Sequence, residues 1–115
     1  GGINDLAASV SAATIFARDL QIFATVRAMY PTIKICSVTC TPDNGFDAPK
    51  NAQKLALNNL RLGGTNTADC VADLNTTSLG TWNGTDYYDG VHYYEVGHAK
   101  AATVIQTALA SVGIT

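Results

Sequence analysis

The chain has 115 residues and a mass of 12.0 kDa, 47% of them hydrophobic and 14% charged, which fits one small globular domain and leaves no room for a second. Seven Lys and Arg against nine Asp and Glu give a net charge of -2, and no two basic residues are adjacent, so the footprint of a nucleic-acid or anionic-membrane binder is absent. No apolar run approaches the roughly 20 residues needed to cross a bilayer, and Gly1 to Asp5 carry neither the basic nor the apolar region of a secretory leader.

In chain order, a short loop is expected at Asn4 to Leu6. Ile15, Phe16, Leu20, Ile22, Phe23, Val26 and Met29 then recur at three- and four-residue steps, which predicts a helix over 11–29, closed by Pro31. The next segment, 32–40, is β-branched or apolar at almost every position and predicts a parallel-type strand covered on both faces. Turn residues from Thr41 to Gly45 break it. Pro49 opens a second helix over 49–61 that stops at Gly63-Gly64, and 70–74 is a short strand. A loop rich in Thr, Asn and Gly follows, carrying Trp82 and the Tyr87-Tyr88 pair, and is expected to be exposed. A helix over 95–112 completes the chain, its small residues Ala99, Ala102 and Ala108 suited to close packing on a sheet.

This order predicts an α/β fold with parallel strands and crossover helices. Two strands do not make a complete sheet, because a buried parallel pair leaves unpaired backbone groups along its outer edges. The sequence therefore predicts an incomplete domain. Cys36, Cys40 and Cys70 are too few for a disulfide framework and form no Cys-x-x-Cys pair, so buried thiols are the favoured reading. A single Glu, many Thr, Ala and Asn, and the triplets Asn75-Thr76-Thr77 and Asn83-Gly84-Thr85 tilt the expectation toward a secreted or extracytoplasmic protein.

Two clusters carry candidate chemistry: Gly2-Ile3-Asn4-Asp5 near the start, and Asp89-Gly90-Val91-His92 just before the last helix. In this order and spacing they resemble the third and fifth sequence blocks of the SGNH (GDSL-type) hydrolases. The segments Val38-Thr39-Cys40-Thr41-Pro42, Val71-Ala72-Asp73-Leu74 and Gly97-His98-Ala99 are similar to that family's intervening landmarks, so the resemblance spans the chain. It implies the C-terminal portion of a three-layer α/β/α, flavodoxin-like fold and a serine esterase working through an acyl-enzyme. It further implies Asn4 as an oxyanion-hole donor, His92 as general base and Asp89 as the acid that orients the imidazole.

The family's Gly-Asp-Ser block, which supplies the nucleophile, has no counterpart here. Ser9, Ser11, Ser37, Ser78 and Ser111 are the only serines; none follows Gly-Asp, and no Gly-x-Ser-x-Gly elbow replaces it. The expectation is that the serine resides on a separate N-terminal segment, and that the chain is completed by such a fragment or by a homodimer through its open sheet edge. The alternative is a non-catalytic interaction or assembly module derived from the same scaffold. Asp89, His92, Glu95 and His98 could instead ligate a metal, but their three-residue spacing drifts about 60° per step on a straight helix and fans the donors apart. No cofactor is expected. Tyr88, Tyr93 and Trp82, with Tyr87 and Tyr94 nearby, are candidate substrate-binding aromatics, and tilt the substrate toward an acetylated carbohydrate.

Overall fold

In the computed structural model, which describes residues 2–42, 45–76 and 85–115, a helix replaces the loop expected at Asn4 to Leu6. Gly2, at φ 105°, adopts the left-handed backbone that admits the chain to α1 (Ile3–Ala7), and a Cβ there would lie 3.2 Å from Leu57. Five residues form a helix here because Leu6, 1% exposed, anchors them in the core.

Ser11 caps α2 (Ala12–Met29), its hydroxyl accepting the Thr14 amide at 3.2 Å. The apolar stripe read from the sequence turns inward only in the first half of this helix: Ile15 and Phe16 are buried, whereas Ile22 and Met29 face solvent. The expected strand over 32–40 contracts to β1 (Cys36–Val38). Its beginning is spent on a turn, with the Ile33 amide donating to Tyr30, and the Ile35 amide donates to the Asp69 carboxylate at 2.8 Å instead of to a neighbouring strand. Ile33 is consequently exposed, and the expectation of burial along the whole segment fails there.

Asp47 caps α3 (Ala48–Leu62) by accepting the Lys50 amide at 3.0 Å, and Pro49 occupies its first turn. The chain then enters β2 (Cys70–Ala72), two residues shorter than the 70–74 expected, and runs parallel to β1 with Cys36 opposite Cys70 and Val38 opposite Ala72. A parallel pair requires a crossover, and α3 supplies it. The last helix, α4 (Glu95–Ala110), packs on both strands. The fold is thus mixed α/β.

Two buried clusters hold these elements. Leu6, Ala12, Ile15, Phe16 and Leu57 join α1, α2 and α3 to Cys40 at the carboxyl end of β1, while Leu74 and Ala101, with Val38, Tyr93, Val104 and Ile105, join α4 to the strands. Polar side chains fix the strand ends. At the amino end, Asp69 accepts from Ile35, Arg27 and Lys34. At the carboxyl end, the Thr39 hydroxyl donates to Asp73 and accepts the Leu74 and Asn75 amides.

Among the described residues no strand pairs with the other side of β1. Cys70 donates to the Ile35 carbonyl and Thr39 to the Ala72 carbonyl, so by strand alternation the main-chain N–H and C=O groups of 35, 37 and 39 point to β2 while those of 36, 38 and 40 point away from it. Side chains of α3 partly occupy that edge. Asn58 brackets Cys40, accepting its amide at 2.7 Å and donating to its carbonyl at 3.0 Å, and Arg61 donates to the Val38 carbonyl at 3.0 Å. Further along, a cavity of about 180 Å³ lined by Asp19, Phe23, Cys36, Ser37, Val38 and Arg61 borders the edge.

Candidate functional site

Asp89 and His92 are brought together by a tight loop. Residues 86–94 double back so that Tyr87 pairs antiparallel with Tyr93, Tyr88 donates to the His92 carbonyl, and Tyr94 donates to the Asp86 carbonyl at 2.8 Å. Gly90, at φ 86°, makes the reversal possible. Asp89 organises the tip: one carboxylate oxygen accepts the Val91 and His92 amides at 2.9 and 2.7 Å, and the other lies 2.6 Å from His92 Nδ1. The backbone amide of His92, then its ring, then the Val91 amide hold the Asp89 carboxyl at about 2, against an ordinary value of 3.8. The carboxylate is therefore ionised at neutral pH, and its contact favours the imidazole tautomer that carries its proton on Nδ1, in which Nε2 is the acceptor. The His92 side chain is 64% exposed, so that nitrogen is accessible.

The base of the loop is tied to α4. Asp86, almost fully buried, receives Lys100 Nζ at 2.8 and 3.0 Å. Gly97 lies directly beneath: a Cβ at that position would come within 2.7 Å of Tyr93 Cδ1 and closer still to the Asp86 carbonyl. Only glycine lets the loop approach the helix so closely.

The four tyrosines divide by the two-residue period of extended backbone. Tyr87 and Tyr93 turn inward, their ring centroids 4.7 Å apart, and Tyr93 meets the His98 ring edge-on at 5.3 Å. Burial, reinforced by the neighbouring Tyr93 hydroxyl, pushes the Tyr87 phenol above its ordinary range. Tyr87 is fully buried, which corrects the expectation of an exposed segment at the Tyr87-Tyr88 pair, and Tyr93 serves as packing and not as an open wall. Tyr88 and Tyr94 turn outward. Tyr88 stacks on His92, with centroids 5.5 Å apart and planes inclined by 19°, and lies 5.6 Å from Tyr94. Tyr94, named in the sequence among the nearby aromatics, and Gly97, named as the entry to the last helix, complete the loop's architecture; what the sequence did not show is Gly97's role in letting the loop approach α4.

Asn4 is exposed in the first turn of α1. Leu6 of that helix belongs to the same buried cluster as Cys40 and α1 packs on α3, whereas the Asp89–His92 loop is tied to α4. Trp82 lies outside the described residues. Among the described residues no three His, Cys, Asp or Glu side chains gather as metal ligands; His98 is engaged with Tyr93 and Asp89 with His92. No described helix is long and apolar enough to cross a membrane.

No family model, curated protein or solved structure matches the chain. An ionised carboxylate bonded to Nδ1, an accessible Nε2 and an aromatic ring against the imidazole constitute an oriented general base, able to take a proton from a hydroxyl and return it to a leaving group.

Proposed function

We propose that this chain supplies the acid–base half of a serine ester hydrolase of SGNH type. The observation that carries the reading is the 2.6 Å contact between Asp89 and His92 Nδ1 at the tip of an exposed loop. His92 takes the proton of a serine hydroxyl as that oxygen attacks the ester carbonyl, then returns it to the departing alcohol; water repeats the cycle on the acyl-enzyme. Asp89 holds the tautomer, and Asn4 donates its side-chain amide to the developing oxyanion. Tyr88 and Tyr94 offer flat apolar surface beside the base, suited to a sugar ring, so an acetylated carbohydrate is the preferred substrate class.

The serine comes from elsewhere, because none of the five in this chain sits in a nucleophile motif. The segment that bears it docks as an extended strand along the outer edge of β1, pairing with the main chain of Cys36, beyond the carbonyl of Val38 that Arg61 occupies, and covering the cavity beside Phe23. With that segment in place the domain becomes the three-layer α/β/α sandwich of the family, in a protein acting outside the cytoplasm.

The test is to express the coding sequence upstream together with this chain and to assay a short activated ester. The joined protein is expected to turn over, and the 115-residue chain by itself to do no better than its His92→Ala variant. Sizing should show the isolated chain associating through its edge and the joined protein monomeric. An upstream segment without a Gly-Asp-Ser block, with a joined protein that is inactive, would favour the interaction module instead.

A further inference from the structure

Cys36 and Cys70 are register partners on adjacent parallel strands. Neighbouring strands place such residues about 4.8 Å apart at Cα, inside the roughly 4.4–6.8 Å that disulfides span. In-register neighbours also project to the same face of a pleated pair. Both thiols are free and only half-buried, whereas Cys40 is enclosed in the core.

Their register is fixed from both ends. Below the pair, Asp69 accepts the Ile35 amide at 2.8 Å while its own amide donates to the Ile35 carbonyl at 2.9 Å. Above it, the Thr39 amide donates to Ala72 at 3.1 Å and the Thr39 hydroxyl to Asp73 at 2.8 Å. Slippage by one residue would break both clamps, so the two sulfurs are held as neighbours.

We propose that Cys36 and Cys70 form a covalent modification site, a reversible cross-strand disulfide closed by exchange with a small-molecule disulfide such as oxidised glutathione. One thiolate of the pair attacks one sulfur of the reagent, breaking its S–S bond and releasing one glutathione thiolate. The other sulfur of the pair then attacks the first, displacing the second glutathione. Two protein S–H bonds are lost and one S–S bond is gained; the two protons end on the two glutathione thiols, so the protein is oxidised and the reagent reduced. Burial, followed by contact with Cys70, pushes the Cys36 thiol up to about 11. Both sulfurs are only half-buried, so the bond stays within reach of a reducing thiol. The bridge ties β1 to β2 around α3 and restricts the unfolded chain. This inference is independent of the esterase reading.

The experiment treats the folded full chain with oxidised glutathione and measures intact mass, followed by fragmentation that separates Cys36 from Cys40. The expected result is loss of two hydrogens, a Cys36–Cys70 link, and a rise in Tm of about 5 °C or more that dithiothreitol reverses. The link should persist in Cys40→Ala, vanish in Cys36→Ser and Cys70→Ser, and lose its selectivity in denaturant. A retained glutathionyl adduct, a bridge to Cys40, an intermolecular dimer, or the same pairing in denaturant would each overturn the proposal.

Discussion

Replacing His92 with Ala in the joined, active protein is expected to lower kcat by about 10⁴-fold or more, because the serine then loses the group that accepts and returns its proton. Asp89→Asn should lower it by about 10³- to 10⁴-fold, since an amide no longer enforces the tautomer with Nε2 unprotonated. Asn4→Ala removes one oxyanion donor, an expected loss of about 100- to 1,000-fold in kcat with little change in KM. The pH profile adds a separate check. The Asp89 carboxyl is depressed to about 2 from 3.8, so the contact it makes is fully present above pH 3.8 and is lost only as pH falls through about 2. A loss of kcat/KM centred above pH 3.8 is therefore not the titration of Asp89. Steady-state kinetics on the three variants measure all of this; activity retained in His92→Ala would remove the loop from the chemistry.

The second large effect falls far from that loop, at Arg61. Its side chain is 4% exposed; it binds Asp19 at 2.8 and 2.9 Å and donates to the Val38 carbonyl at 3.0 Å. Arg61→Ala strands a partly buried carboxylate and leaves a strand carbonyl without its donor, an expected cost of about 3–5 kcal/mol. That is a large share of the roughly 5–15 kcal/mol that stabilises a small domain. Arg18→Ala provides the contrast, because its ion pair with Asp5 is more than half exposed on the arginine side and should matter by less than about 1 kcal/mol. Denaturant titration of the two variants separates the cases. Equal, small losses at both positions would mean that Arg61 does not hold α3 to the edge of β1.

Much of the framework was legible because its signals are local. Pro49 marks a helix start, Gly63 marks a stop, and three- or four-residue apolar spacing fills the intervals, so α2, α3 and α4 begin and end within a few residues of expectation. What escaped depends on partners distant in sequence. Helix α1 exists because Leu6 reaches the core, and β1 is short because Asp69, some thirty residues on, captures the Ile35 amide. The Asp89–His92 pair was readable since three residues and one turn suffice to join them. The division of the tyrosines into a packed pair and an exposed pair was not, because it follows from the antiparallel bridge between Tyr87 and Tyr93. Nor was the Asp86–Lys100 tie that anchors the loop to α4.

The most direct measurement is active-site labelling with a fluorophosphonate, followed by peptide mapping, on the joined protein, on its His92→Ala variant and on the 115-residue chain alone. The account predicts one labelled serine, located on the segment that pairs with β1, with labelling abolished in His92→Ala and absent from the isolated chain. Labelling of one of the five serines of this chain, or labelling that survives loss of His92, would contradict it.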